Sequence, residues 1–111
     1  MLTFQKLEVY QSAIRFLALA YEIVEALPRG HAERGDQLVR AAESIVRNIA
    51  EGSGRWTAAD TAKHYKIARG EAMECAGSLD VLNVRKMIAR DKHEVGQVLI
   101  ESIVRMLTRM F

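Results

Sequence analysis

Few residues of this sequence have the types and spacings that catalytic or metal sites need. None of the three histidines, His31, His64 and His93, follows a glutamate at the interval that di-iron helical bundles use. There is no His-Glu-x-x-His motif, and Cys75 is the single cysteine, so the common zinc-binding patterns are absent as well. We therefore expect no metal, no other cofactor and no enzymatic activity.

Three weaker signals favour structural roles. Asp60 and His64 are four residues apart, which favours an exposed pair on one helix face over a catalytic dyad. Gly52 and Gly54 lack the third glycine of a dinucleotide fingerprint and the Gly-Lys-Ser/Thr of a P-loop, so they indicate a helix end and a tight turn. Cys75 lies on an apolar stripe, which favours a small buried side chain over a reactive thiol.

The second predicted helix carries polar residues between its apolar positions. Arg40, Ser44 and Asn48 are each four residues apart, so they lie along one face. A carboxylate of Glu71 or Glu74 on the third helix could pair with Arg40, because a buried arginine without a partner is costly. Such a polar seam would set helix register or subunit contacts, and a binding role is the alternative. The predicted seam consists of Arg40, Ser44, Asn48, Glu51, Glu71 and Glu74.

A second group combines basic and aromatic residues that one end of a four-helix bundle would collect. Positive charges there would meet phosphates, and an exposed tryptophan would stack on a base. The alternative is a solvated end on which Trp56 packs as a lid. The predicted nucleic-acid-binding residues are Arg55, Trp56, Lys63, Arg105 and Arg109, with Lys6 at the same end.

The elements that must position these groups all have helical periodicity. Helices are predicted over about residues 6–27, 32–51, 57–89 and 92–110, within one domain spanning 1–111. Thr57 and Asp91 are expected to cap the third and fourth helices. No stretch alternates like a strand. Four amphipathic helices with short connections predict an all-α, antiparallel up-down-up-down four-helix bundle.

Apolar stripes indicate which helix faces form the core. In the second and third helices the stripes are Leu38, Ala42, Ile45, Ile49 and Tyr65, Ala68, Ala72, Cys75, Leu79, Leu82. The first and fourth helices each carry two neighbouring stripes, more than one bundle seam uses. This surplus predicts a homo-oligomer, and the alternative is a wider core. Gly70 and Gly77 are expected to allow close approach of a neighbouring helix.

Composition excludes several classes of protein. The chain has 111 residues, of which 50% are hydrophobic and 27% charged, so it is too apolar for a disordered chain. No apolar run approaches the roughly 20 residues of a membrane span, and we expect no membrane association. The N-terminal residues do not resemble a secretory signal, and a single cysteine fits a reducing compartment, so a cytoplasmic location is expected. The net charge of +2 permits a polyanionic partner without requiring one.

A longer motif resembles a known family. Residues 37–55, QLVRAAESIVRNIAEGSGR, are similar to the signature of the 23S rRNA intervening-sequence proteins, small four-helix bundles of bacteria. Phe4-x-x-Leu7-x-Val9-Tyr10 resembles the family's start, Leu27-Pro28 its first helix end, and Ile67-Ala68-x-Gly70-x-x-x-Glu74 its third helix. Where many members have serine after the helix-three glycine, this chain has Glu71.

The resemblance implies rings of antiparallel bundles, typically homopentamers. A related branch, the accessory protein of diversity-generating retroelements, forms a basic pentamer that binds nucleic acid and a reverse transcriptase. The net charge here is low by comparison, although five copies at +2 each would carry about +10. We expect a non-enzymatic oligomeric module that binds RNA or DNA through a basic face. The alternative is a protein-interaction scaffold that binds a protein partner and has no nucleic-acid role.

Overall fold

The computed structural model describes residues 1–111 as four helices with no strand. A short 3-10 turn over Thr3–Lys6 precedes α1 (Glu8–Glu25), α2 (Ala32–Ser53), α3 (Ala58–Val84) and α4 (Arg90–Thr108). Each helix packs against two neighbours around a square, and the backbones of diagonal pairs lie farther apart. The predicted antiparallel four-helix bundle is confirmed, with extents of 44 × 24 × 22 Å. None of the helices combines the length and apolar character that crossing a membrane requires.

The core stripes predicted for α2 and α3 are confirmed, because every residue of both is buried. In α1 the buried apolar residues are Val9, Ala13, Phe16, Ala20 and Ile23. The neighbouring stripe is partly buried, since its residues Tyr10, Leu17 and Val24 also pack against the core. In α4 the core face draws on both stripes, through Ile100, Ile103 and Leu107. Periodicity alone identifies an apolar face but does not say which of two neighbouring faces points inward.

The start of α3 follows the predicted cap, whereas that of α4 does not. The Thr57 hydroxyl accepts a 3.1 Å hydrogen bond from the backbone N–H of Asp60, as predicted. In contrast, α4 begins at Arg90 after Ala89, and no side chain caps it. Asp91 therefore lies in the first turn, where its negative charge interacts favourably with the helix dipole but does not cap the helix.

The end of α3 differs from the prediction, since the helix stops at Val84 instead of Ala89. Lys86 adopts a left-handed conformation with φ of 58°. Its N–H donates to the Asn83 carbonyl at 3.1 Å, and the Met87 N–H donates to the Leu82 carbonyl at 2.9 Å. This pair of bonds is a Schellman motif, which satisfies the last carbonyls of the helix. No glycine or proline marks the motif in the sequence.

Close approaches between helices occur at glycines other than those predicted. A β-carbon on Gly96 would lie 2.7 Å from Leu79, and one on Gly35 would lie 2.8 Å from Val24. Gly70 and Gly77 instead have nothing within 4 Å, so the expectation of a close neighbour is wrong within one copy of the chain. Both lie on the outer face of α3.

Candidate functional site

The turn between α2 and α3 presents an exposed aromatic residue beside a cation. Trp56 is 99% exposed, so it does not pack as a lid on the bundle. Gly54 ends α2, and Thr57 caps α3, which leaves only two residues to cross between the helices. Trp56 and Arg55 therefore project from a short, fixed connection.

Basic residues of α3 and α4 lie at the same end of the bundle. Lys63 is exposed near the start of α3, and Arg105 and Arg109 are exposed near the end of α4. Contacts between these helix ends bring in two further cations that the sequence reading did not select. Lys66 Nζ lies 5.5 Å from the centroid of the Phe111 ring. Arg69 Nε donates a 2.8 Å hydrogen bond to Thr108 Oγ1.

The three-residue spacing of Lys63, Lys66 and Arg69 could have revealed these additional cations. We call the combined surface of the α2–α3 turn and the adjoining ends of α3 and α4 the basic end. Its cations are Arg55, Lys63, Lys66, Arg69, Arg105 and Arg109. Lys6 is exposed in the 3-10 turn, which packs against α1 and α2.

Four residues of the predicted polar seam meet in an open cleft between α2 and α3. Arg40 and Ser44 line one wall, and Glu71 and Glu74 line the other. Arg40 forms no ion pair within 4.0 Å with either glutamate. The α2–α3 cleft therefore has a positive and a negative wall that remain apart within one copy.

Glu71 has the most perturbed carboxyl group in the cleft. Burial raises its pKa, and the negative charge of Glu74 raises it further, while a hydrogen bond with Ser44 acts in the opposite direction. The unpaired Arg40 does not offset these effects. The cleft thus makes the ionised form of Glu71 less favourable than that of a free carboxyl group.

The other two seam residues, Asn48 and Glu51, belong to a separate cluster with His64 and Arg55. Asn48 Oδ1 lies 3.0 Å from His64 Nδ1, and Arg55 Nε donates to His64 Nε2 at 3.1 Å. The Arg55 guanidinium also pairs with Glu51 one turn earlier. The predicted pairing of His64 with Asp60 is not formed, because the ring is turned toward α2.

The remaining reactive group is Cys75, which is buried in the core. Burial raises the pKa of its thiol to about 12, with Glu71 and Glu74 adding to the effect, so it stays protonated at neutral pH. No three His, Cys, Asp or Glu side chains are arranged to hold a metal ion. The predicted site residues thus fall into three groups, which are the basic end, the α2–α3 cleft and the cluster around His64.

Comparisons with known proteins agree with this architecture. A solved structure from Bacteroides thetaiotaomicron, described as a protein of unknown function from the S23 ribosomal protein family, superimposes with a TM-score of 0.84. It is 24% identical, and the match covers 92% of this chain and 96% of that one, which establishes the similarity of fold. A comparison with curated proteins gives no significant match.

The family profile described as 23S rRNA-intervening sequence protein matches residues 5–109. This range includes all four helices and the turn that carries Trp56. Neither this description nor that of the solved structure names an enzymatic activity. The chain therefore belongs to the 23S rRNA-intervening sequence protein family.

Proposed function

We propose that this chain is a non-enzymatic homo-oligomeric module that binds RNA or DNA through its basic end. The observation that carries the proposal is the 99% exposure of Trp56, next to Arg55 in the turn at the end of the bundle that holds the other cations. Exposure of the indole ring to water costs the free protein hydrophobic stabilisation. The exposed ring nevertheless offers a flat surface on which an unpaired base can stack. Neighbouring lysine and arginine side chains can then neutralise the flanking phosphates.

Self-association is supported by the outer face of α3. Exposed positions recur there at alternating intervals of three and four, the spacing of a helix-packing seam. They are Ile67, Gly70, Glu74, Gly77, Val81 and Val84. Each glycine costs about 1 kcal/mol relative to alanine in a helix interior, and neither has a neighbour within the chain that requires it. A helix of a second copy, approaching closely over these glycines, would bury this outer face of α3.

The subunit number in the proposal is five, as the family resemblance implies. Five copies would repeat the basic end around one axis and so focus its potential on a long polyanion. The α2–α3 cleft is adjacent to this outer face of α3, so the assembly would also bring its charged walls near another subunit.

The binding proposal is tested by titrating labelled oligouridylate at several salt concentrations. We expect Trp56→Ala to weaken binding by about fivefold to a hundredfold, the range for loss of one stacked base. Replacing Arg105 and Arg109 with glutamine should lower the log–log salt slope by about 0.7 for each lost phosphate contact. Glutamine at Arg29 and Arg34, at the opposite end, is the charge-matched control. Binding that is absent, or that is insensitive to salt, would refute the proposal.

Self-association is tested by sedimentation velocity at physiological salt. The unmodified chain should sediment as an oligomer, and Gly70→Leu with Gly77→Leu should give a smaller species that remains helical by circular dichroism. Ala18→Leu, which places a leucine on the exposed side of α1 instead, should leave the assembly intact. A compact monomer of the unmodified chain would contradict this part of the proposal.

A protein-interaction scaffold is the second candidate, favoured by a separate apolar surface. Val95 and Val98 of α4 are exposed beside Leu19 of α1 in a groove between the two helices. A partner protein could bury these side chains without any nucleic acid. Recovery of one stoichiometric protein with no nuclease-sensitive material, together with no oligouridylate binding, would favour the scaffold.

A further inference from the structure

We infer that His64 is an acid-sensitive latch on Arg55, so that protonation of the imidazole releases the guanidinium for binding to a polyanion. The inference rests on the proposed function of the basic end and concerns its regulation. It is carried by a chain of hydrogen bonds that leaves the neutral imidazole one compatible tautomer.

The chain starts at Ser44, which determines the orientation of the Asn48 amide. The Asn48 Nδ2 group donates to the Ser44 carbonyl at 2.9 Å and contacts the Ser44 hydroxyl at 3.1 Å. A carbonyl oxygen only accepts, so the nitrogen of the amide must face Ser44. The Oδ1 atom of Asn48 then faces His64 Nδ1 at 3.0 Å. Because Oδ1 only accepts, Nδ1 of the imidazole carries the hydrogen.

The second ring nitrogen is consequently free to accept. Arg55 Nε approaches His64 Nε2 at 3.1 Å, and a guanidinium N–H is always a donor. The two contacts together require the neutral imidazole with its hydrogen on Nδ1. This tautomer holds Arg55 against α3, while Glu51 holds the same guanidinium from α2.

Protonation of His64 removes the acceptor from this contact. Two N–H donors and two positive charges would then face each other, so Arg55 must turn away. Asp60 lies one turn earlier on the helix of His64 but does not contact the ring, which is turned toward α2. Glu51, whose side chain is 52% exposed, is the carboxylate from α2, and it can exchange Arg55 for the imidazolium. The Arg55 charge, next to Trp56 in the turn, becomes available to a phosphate.

The consequence is an acid-dependent gain in affinity that exceeds the effect of added charge alone. His31 lies at the other end of the bundle, before α2, and its protonation adds the same charge without touching the basic end. His93 is likewise remote, 3.1 Å from Asp80 near the end of α3. His31 and His93 therefore provide two internal controls for His64.

The test is binding of labelled oligouridylate to the full chain from about pH 8 to about pH 5, the range in which histidine changes charge, at constant ionic strength. We expect acid to strengthen binding by about fivefold to tenfold, as one released charge-assisted contact would give. His64→Gln should abolish most of this gain, while His31→Gln should retain it. Arg55→Gln should also abolish it.

A nitrogen-15 NMR measurement of the imidazole tests the latch separately. At alkaline pH His64 should be the tautomer with hydrogen on Nδ1, and the Arg55 Nε resonance should shift together with the His64 titration. An Nε2-protonated ring would overturn the inference. An acid gain that persists in His64→Gln would overturn it while leaving the proposed function intact. No oligouridylate binding at any pH would refute the proposed function and the inference with it.

Discussion

Gly52 and the ring of Tyr65 are so close that a β-carbon on the glycine would lie 2.9 Å from Cε1 of the ring. Tyr65 is only 6% exposed, and its hydroxyl shares a 2.9 Å hydrogen bond with Ser53 Oγ. The Cβ of His64 limits the same space at 3.0 Å. The last turn of α2 is thereby packed directly onto the start of α3, which positions the turn between them.

Replacing Gly52 with alanine should therefore destabilise the chain. Overpacking costs about 1–3 kcal/mol, against about 1 kcal/mol gained from the helix propensity of alanine, so we expect a net loss of about 1 kcal/mol. Urea unfolding followed by circular dichroism measures it. Gly54→Ala is the matched control, because its β-carbon would meet only backbone oxygens at 3.6 and 3.9 Å. Equal stabilities of the two variants would argue against tight packing at Gly52.

The pH dependence of stability should contain a contribution from Glu71. Its pKa is raised in the folded chain, so the folded state binds this proton more tightly than the unfolded state does. The stabilising contribution is complete below the ordinary carboxyl pKa and is lost as the pH rises through the folded pKa. Glu71→Gln should thus raise the melting temperature at neutral pH and have little effect in acid.

Thermal unfolding of Glu71→Gln across that pH range provides the measurement. Glu101→Gln serves as the control, since Glu101 is an exposed residue of α4 that forms no ion pair. A constant difference between Glu71→Gln and the unmodified chain at every pH would show that the carboxyl group is not titrating differently in the folded state.

A substitution at Lys86 should stabilise the chain, in contrast to Gly52→Ala. A left-handed conformation costs a residue with a β-carbon roughly 1–2 kcal/mol, and glycine avoids this cost while losing more backbone entropy on folding. Lys86→Gly should therefore stabilise the chain by about 0.5–1 kcal/mol in chemical denaturation. Arg85→Gly, one residue earlier with φ of −80°, should destabilise it instead. Stabilisation by both substitutions would contradict this explanation.

The fold could be predicted because helical periodicity and turn residues both favoured the same architecture. The core stripes of α2 and α3 could be predicted from their three- and four-residue spacing, and every residue of both is buried. The end of α3 was not, because its stop signal is the conformation of Lys86 and the sequence around it lacks glycine. The sequence also does not distinguish a glycine in open space, such as Gly70, from a crowded one, such as Gly96, because the difference depends on the neighbouring helices.

The candidate site was only partly readable for a related reason. Spacing along α2 placed Arg40 and Ser44 on one face, and they do line the same cleft with Glu71. Spacing did not reveal that Asn48 turns to His64, because that contact depends on the offset between α2 and α3. Whether the basic end binds nucleic acid stays a prediction for the titrations above.

The exposure of Trp56 has a practical consequence for spectroscopy. It is the chain's one tryptophan, and its indole is already surrounded by water in the native state. Denaturation therefore barely alters its surroundings, and the tryptophan fluorescence should change little when tertiary structure is lost. The same fluorescence should change strongly when a molecule binds over the ring, so binding at Trp56 can be followed without a label.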